Sequence, residues 1–306
     1  MNKEHKFLRL VLSAALAFLI GAGYVLTSAN AATNEALMNA PKASERPKAT
    51  PTKTADSQEV IALSAINKAQ KSKGCNFDLQ AESDASSPGK CTILIVGDSL
   101  GNNLAYGMQR QLEANPAIDL VIRSKSSTGL SNSWFYNWPK EIKPFINQSD
   151  PDLVIVMLGT NDHQNMKIDG SVAEFASKKW NAKYEDEATK MITQSINSGA
   201  YVMWVGLPIM QSSYFASYMA VLNERSSKAV SENVGASFVP TWDLMADNRG
   251  KYRDWAKVNG RNQKIRGTDG IHFTWVGQNV LATHVISEMQ DIFNVKIKSK
   301  GKMTFN

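Results

Sequence analysis

Three residues of the 306-residue chain could together attack a carbonyl carbon: Ser99, Asp269 and His272. A serine hydroxyl is a weak nucleophile near neutral pH, and it needs a histidine within hydrogen-bond reach that is itself oriented by a carboxylate. Asp269 precedes His272 by three residues, and one turn can bring its carboxylate to the imidazole. The types and spacing of these residues are those that nucleophilic acyl transfer requires.

Each of these residues also has a purely structural interpretation. Ser99 or its neighbour Asp98 could cap a helix that runs through residues 100–113. Asp269 and the glycine that follows it form a common turn dipeptide. Both alternatives stay open when the residues are considered one at a time.

Acyl transfer also needs hydrogen-bond donors for the negative charge that develops on the carbonyl oxygen. Asn161 follows the apolar stretch LVIVML at 153–158 and can supply a side-chain amide. Gly129, which follows the second predicted strand, offers an unobstructed backbone N–H. Asparagine and glycine occur in turns of every kind. Their placement at strand ends, in order along the chain, favours one shared site with Ser99.

The chain has three further histidines. His5 lies in the N-terminal leader, and His284 lies among apolar residues of a late predicted helix, where we expect a packed or surface position. His163 directly follows the stretch GTND. It either contacts a substrate or closes a turn, and the sequence leaves that choice open.

Five apolar stretches alternate with amphipathic ones between residues 92 and 240, and they indicate the strands that must position these residues. This alternation predicts an α/β fold in which a parallel sheet carries helices on both faces. Ligands bind beyond the carboxyl ends of the strands in such sheets, which is where Ser99 lies. The predicted strands are residues 92–97, 119–123, 152–159, 201–206 and 237–240.

The N-terminal third predicts an exported protein. Three basic residues precede an apolar stretch at 10–26, and small residues at 29–31 match a cleavage site, so residues 1–31 indicate a signal peptide. The apolar stretch approaches the roughly 17 residues that could span a bilayer, so an uncleaved membrane anchor is the alternative. Residues 32–56 have the composition of a flexible linker. We therefore expect a periplasmic or cell-surface location, with anchoring to the inner membrane as the alternative.

Residues 57–90 are expected to form an N-terminal helix and a loop, and residues 91–306 to form the main domain. Helical spacing of apolar residues at 57–71 predicts a short amphipathic helix. Cys75 and Cys91 are the two cysteines of the chain, and in an exported protein they are expected to pair. Two buried thiols are the alternative reading.

Composition excludes several classes of function. The formal net charge is +6, but part of it lies in the leader and linker. No Lys/Arg-rich run of the kind that binds phosphate backbones occurs in the body, so nucleic acid is not an expected partner. Neither C-x-x-C spacing nor a zinc quartet is present, so no metal site is predicted.

At this point the sequence resembles the SGNH hydrolases, also called GDSL esterases and lipases. The resemblance covers roughly residues 91–295 and extends to all four signature blocks of that family. The blocks are GDSL with Ser99, the glycine at Gly129, GTND with Asn161, and DGIH with Asp269 and His272. Four ordered blocks are specific, whereas a solitary GDSL would be weak.

The resemblance implies a three-layer α/β/α, flavodoxin-like fold with a five-stranded parallel sheet. It also implies that Ser99 is the nucleophile, His272 the general base and Asp269 its orienting partner. The implied oxyanion hole consists of the Ser99 N–H, the Gly129 N–H and the Asn161 side chain. Asp98 and Asp162 match architectural positions of the family and are left out of the catalytic set. No cofactor is implied.

The substrate is inferred from location and from aromatic residues near the site. Flat rings suit sugar faces, and the alternative is that these residues pack in the core. An O-acetylesterase acting on an envelope or surface glycan is the first expectation, with an O-acyltransferase or a non-catalytic cell-wall binding module as alternatives. We expect a monomer. The aromatic residues are Trp134, Phe135, Tyr136, Trp138 and Trp275, and the expected substrate-binding set is Trp134, Tyr136, His163 and Trp275.

Overall fold

The computed structural model describes residues 90–295 together with 297, 299, 300 and 303–305. The predicted leader 1–31, the linker 32–56 and the segment 57–89, which includes Cys75, lie outside the described residues. Cys91 is buried and disulfide-bonded. Within the described part of the chain, no helix combines the length and the apolar character needed to cross a membrane.

The described residues form nine strands, and five of them make up one parallel sheet in the order β2-β1-β3-β6-β7. All five predicted sheet strands are confirmed, with ends within two residues of those expected. Nearly every residue of β1, β3 and β6 is buried, as expected for parallel strands covered on both faces. The strands are β1 (Cys91–Gly97), β2 (Ile118–Ser124), β3 (Leu153–Met157), β4 (Met166–Ile168), β5 (Ser171–Ala173), β6 (Tyr201–Val205), β7 (Ala236–Val239), β8 (Trp255–Val258) and β9 (Arg261–Lys264).

Five helices cover the sheet, and α1 packs against α5 while α3 packs against both α2 and α4. Each helix begins at a polar residue whose side chain accepts a hydrogen bond from a backbone N–H of the first turn. The helices are α1 (Ser99–Leu112), α2 (Trp138–Ser149), α3 (Lys178–Asn197), α4 (Ser213–Ser231) and α5 (Trp275–Phe293). The predicted three-layer α/β/α fold is confirmed.

The direction in which successive strands are added to the sheet reverses between β1 and β3. From β1 the chain crosses to β2 on one side, and from β2 it returns past β1 to β3 on the other. Because crossovers are right-handed, the connecting helices α1 and α2 lie on opposite faces of the sheet. A crevice therefore opens beyond the carboxyl ends of β1 and β3, where doubly wound folds bind ligands.

Two hairpins interrupt the βα alternation, and neither was predicted. β4 pairs with β5, and β8 pairs with β9, each in antiparallel register. Their two-residue turns are Asp169-Gly170 and Asn259-Gly260, and all four residues have positive φ. Asp-Gly and Asn-Gly are the pairs that such turns favour, so the sequence did carry a local indication of both hairpins.

Candidate active site

Ser99 lies where β1 ends and α1 begins, at the edge of the crevice. The helix cap is supplied by Asp98, whose Oδ1 accepts a hydrogen bond of 2.9 Å from the Leu100 N–H. The Ser99 hydroxyl is therefore not used as a cap. Its Oγ lies 2.8 Å from Nε2 of His272, although the two residues are 173 positions apart in the sequence.

His272 is oriented by Asp269 on its other side. Asp269 Oδ2 lies 2.6 Å from Nδ1 of His272, while Oδ1 accepts hydrogen bonds from the backbone N–H groups of Ile271 and His272. Burial alone would raise the pKa of Asp269, but these hydrogen bonds lower it to about 2. Since an ionised carboxylate only accepts, Nδ1 must donate, which leaves Nε2 of the neutral imidazole to accept the Ser99 proton.

A buried arginine that sequence reasoning missed supports the loop of Asp269 and His272. The Arg266 guanidinium donates to the carbonyl oxygens of Ile209 and Ile271 at 2.8 Å each. It lies over the rings of Phe273 and Tyr252, 4.8 and 5.1 Å from their centroids. Burial lowers its pKa to about 10, so the side chain stays charged at neutral pH. Arg266 thus ties the triad loop to the segment after β6.

Asn103 is a second missed residue at the site, and it fixes the triad loop from the side of α1. Its Oδ1 accepts a hydrogen bond of 2.8 Å from the N–H of Phe273, the residue after His272. Asn103 lies one helical turn after Ser99. One helix therefore carries both the hydroxyl and an anchor for the histidine. No sequence feature separates Asn103 or Arg266 from ordinary polar residues.

The predicted oxyanion donors border the same crevice. The Asn161 side-chain amide donates to the Thr128 carbonyl oxygen at 2.9 Å, which leaves its second hydrogen available. That carbonyl belongs to the same peptide group as the Gly129 N–H. The N–H groups of Ser99 and Gly129 have no protein acceptor within the described part of the chain. The two N–H groups and the second amide hydrogen are thus not used by the described residues.

Two fully buried carboxylates hold the loops that carry these donors. Asp98 Oδ2 accepts from the N–H groups of Gly159 and Thr160, at 3.2 and 2.9 Å. Burial raises the pKa of Asp98 to about 6, against the lowering effect of its backbone donors. The carboxylate therefore ties the end of β1 to the loop after β3. This contact agrees with the architectural role that the family resemblance implies for Asp98.

Asp162 performs the equivalent task for the loop that contains Gly129. Its carboxylate accepts from the backbone N–H groups of Leu130 and Ser131, at 2.9 and 2.7 Å, and from the Ser131 hydroxyl. Burial raises the pKa of Asp162 as well. A Cβ at Gly129 would lie 2.1 Å from Asp162 Oδ1, so this close approach requires glycine. Steric fit against Asp162 therefore also requires glycine at position 129.

The expected substrate-binding residues differ in their surroundings. Trp134 and Trp275 are 83% and 62% exposed, whereas Tyr136 is half-buried with its ring centroid 4.9 Å from that of Trp138. Trp138 itself is fully buried, and its Nε1 donates to the Thr128 hydroxyl. The core interpretation thus holds for Trp138, while Trp134 and Trp275 are open to a ligand.

His163 and His284 lie apart from the hydrogen bonds of Ser99. The ring of His163 stacks on Tyr218 at 5.4 Å and meets the edge of Phe215 at 4.9 Å. His163, itself exposed, therefore belongs to a partly buried aromatic cluster between the loop after β3 and the start of α4. His284 lies in α5, where its Nε2 is 2.9 Å from the Pro240 carbonyl oxygen, in agreement with the expected packed or surface position.

This doubly wound sheet, with the four signature blocks at its switch point, defines an SGNH-type fold. The resemblance of the sequence to the SGNH hydrolases is confirmed. The chain belongs to a family described as "Protein of unknown function (DUF459)", whose model matches residues 92–288. No protein of curated function matches the chain.

Several solved structures are similar to the chain at low identity. A catalytic mutant of Axe2, an acetylxylan esterase from Geobacillus stearothermophilus, is 15% identical over 68% of this chain and 96% of its own, with a TM-score of 0.46. A carbohydrate esterase family 3 protein from Talaromyces cellulolyticus is 14% identical over 67% of this chain and 100% of its own, with a TM-score of 0.48. The periplasmic domain of a lipopolysaccharide acetyltransferase from Salmonella ser. Paratyphi A is 13% identical over 66% of this chain and 85% of its own, with a TM-score of 0.46.

Proposed function

We propose that the protein is a serine esterase that removes O-acetyl groups from a glycan of the cell envelope or surface. The observation that supports this proposal best is the chain of contacts from Ser99 Oγ to His272 Nε2 at 2.8 Å and from His272 Nδ1 to Asp269 at 2.6 Å. The nucleophile, its base and the orienting carboxylate lie within the distances that proton transfer requires. The exported location is also a proposal, because its support is the leader sequence alone.

The proposed reaction proceeds in two acyl-transfer steps. Ser99 Oγ bonds to the ester carbonyl carbon as its proton passes to His272 Nε2, and the carbonyl oxygen becomes negative. When this tetrahedral species collapses, the ester bond breaks and His272 returns the proton to the leaving alcohol. Water then attacks the acyl-serine by the same route and releases acetate. Asp269 stays ionised throughout, which its pKa of about 2 permits.

The oxyanion donors are proposed to stabilise the tetrahedral species of both steps, the attack by Ser99 and the attack by water. The Ser99 and Gly129 amides and the second hydrogen of the Asn161 amide would bind the negative oxygen. Such donors are fixed before the reaction, so they act without reorganisation, and each contributes about 3 kcal/mol in comparable enzymes. Asp98 and Asp162 contribute indirectly, because they hold the loops in place.

The glycan part of the proposal rests on the open aromatic residues. Trp134 and Trp275 present large exposed rings close in sequence to Gly129 and His272 respectively. Aromatic rings of this kind can stack on the apolar faces of sugars.

The proposal is tested with a chromogenic acetate ester, a fluorophosphonate probe and acetylated envelope glycans. The parent protein should hydrolyse the ester, bind the probe covalently and release acetate from the glycans, while Ser99→Ala should do none of these. Ser133→Ala is the matched control, because Ser133 is an exposed serine in the nearby loop. Equal acetate release by the parent and Ser99→Ala would refute the proposal.

The same assay separates the two alternatives. A transferase would turn over the acetyl donor mainly when a glycan acceptor is present, and the product would be an acetylated glycan. A binding module would bind the glycan but would neither hydrolyse the ester nor react with the probe. Comparison of turnover with and without acceptor therefore decides among the three.

A further inference from the structure

The positive charge of the body is concentrated in one segment. Residues 247–264 contain six Lys or Arg residues and two Asp residues, a net charge of +4. Residues 90–306 as a whole contain 24 basic and 20 acidic residues, which is also +4. The rest of the body is therefore neutral overall. The basic residues are too dispersed to form a run in the sequence, but the β8–β9 hairpin brings several of them together.

The hairpin has one buried face and one open face. Ala256 and Val258 of β8 are buried, so the alternate residues Trp255 and Lys257 point outward, and both are exposed. Trp255 is paired with Lys264 of β9 in the register, and directly opposed side chains lie on the same face. The open face thus presents an indole beside an ammonium group.

This face continues onto the start of α5, the helix that follows the triad loop. The Thr274 hydroxyl and N–H donate to the carbonyl oxygens of Lys264 and Ile265, at 2.6 and 3.1 Å, so the next residue, Trp275, borders β9. The Arg110 guanidinium of α1 lies over the Trp275 ring, 5.1 Å from its centroid. We call Trp255, Lys257, Lys264, Trp275 and Arg110 the aromatic-cationic row. Trp275 lies three residues after His272 in the sequence.

The cations of the hairpin are not neutralised by the protein. Lys257, Arg261 and Lys264 form no ion pair with any carboxylate among the described residues, and Arg110 bonds only to neutral amide side chains. Lys183, Lys190 and Arg225, by contrast, each pair with an acidic side chain. Unpaired cations beside a crevice raise the local concentration of anionic ligands.

We propose that the aromatic-cationic row binds an acylated glycan that carries carboxylate or phosphate groups, and that it delivers the ester of that glycan to Ser99. This inference rests on the proposed function and specifies its substrate class. The rings of Trp255 and Trp275 supply stacking surfaces, and Lys264 and Arg110 supply partners for anionic groups between them. Because each ring lies beside a cation, the row offers no continuous apolar face for a lipid surface.

The first test measures binding without catalysis. Ser99→Ala protein is titrated with polygalacturonate, phosphomannan and neutral glucomannan, and with vesicles of anionic phospholipid. We expect binding to polygalacturonate, phosphomannan or both, weakened as salt rises from about 0.02 to 0.2 M, and little binding to glucomannan. The two anionic polymers distinguish the carboxylate from the phosphate source. Equal affinity for glucomannan, or preferential binding to vesicles, would overturn the proposal.

The second test assigns that binding to the hairpin. Lys257→Glu/Lys264→Glu should weaken binding to the anionic polymer by about ten-fold, as expected from two reversed surface charges. Lys140→Glu/Lys143→Glu is the charge-matched control on α2, on the opposite face of the sheet, and it should bind like the parent. Trp255→Ala should also weaken binding, and Trp255→Phe should restore most of it. Unchanged binding by the hairpin variant, or an equal loss in the control, would refute the assignment.

The third test separates failure of this inference from failure of the proposed function. The parent protein is assayed on the chromogenic acetate, on acetylated polygalacturonate and on acetylated glucomannan. Absence of chromogenic activity would refute the esterase proposal and this inference with it. Chromogenic activity with equal kcat/KM on both polymers would refute this inference alone. We expect kcat/KM at least ten-fold higher on the anionic polymer, and a lower ratio in Lys257→Glu/Lys264→Glu.

Discussion

Replacement of Asn161 by alanine tests the oxyanion hole at its one side-chain donor. The amide makes one protein hydrogen bond, to the Thr128 carbonyl at 2.9 Å, and its other hydrogen is assigned to the oxyanion. Loss of the bond to Thr128 should lower the free energy of unfolding by about 1 kcal/mol, or about 2–4 °C in Tm. Loss of the oxyanion donor should lower kcat by about two orders of magnitude. The rate effect should therefore far exceed the stability effect.

Asn233→Ala supplies a matched control for this experiment. The Asn233 amide donates to the Ala229 carbonyl oxygen at 2.7 Å near the end of α4, remote from the carboxyl ends of the strands. Its loss should lower Tm by a similar amount and leave kcat unchanged. Steady-state hydrolysis of the chromogenic acetate and thermal unfolding measure both quantities. If Asn161→Ala is as fast as the parent, or Asn233→Ala is equally slow, Asn161 is not an oxyanion donor.

Three further predictions concern the groups around the triad. The folded-state pKa of Asp98 is about 6 and its ordinary value is 3.8, so the folded protein holds an extra proton between these pH values. The free energy of unfolding of the parent should therefore fall as the pH rises from about 4 to about 6. In Asp98→Asn, urea unfolding should show a fall that is smaller than in the parent by up to roughly 3 kcal/mol. Arg266→Met should lower the free energy of unfolding by about 3 kcal/mol, since it leaves buried carbonyl oxygens without donors, and should slow fluorophosphonate labelling; a variant labelled at the parent rate would show that the loop holds its position alone. Gly129→Ala should lower kcat by at least about ten-fold, because its Cβ would overlap Asp162 Oδ1, and unchanged kinetics in the chromogenic assay would contradict that.

The sheet could be predicted from the sequence because parallel strands must be apolar on both faces. β1 and β3 are continuous apolar runs, and each ends at a glycine or polar turn, so their limits were visible. The two hairpins were missed because their strands are only three or four residues long and most of their exposed residues are polar. Their Asp-Gly and Asn-Gly turns were the remaining indication, and such dipeptides also occur in loops.

The residues of the candidate site also fall into two groups, those that the sequence indicated and those that it did not. Ser99, His272 and Asp269 could be proposed because their chemistry requires particular residue types in mutual contact, and the structure brings them together. Arg266 and Asn103 could not, because each acts through backbone groups of a loop whose position is set by the folded chain. A polar side chain that serves backbone atoms leaves no pattern of spacing in the sequence.

The two buried carboxylates beneath the crevice carry a consequence for how such a protein can diverge. Five of the six hydrogen bonds described for Asp98 and Asp162 come from main-chain amides, and one comes from a hydroxyl. Main-chain donors are the same for every amino acid except proline. Side chains on the rim can therefore be exchanged over generations while the geometry around the nucleophile is inherited intact, so new ester preferences can arise without the reaction centre being rebuilt.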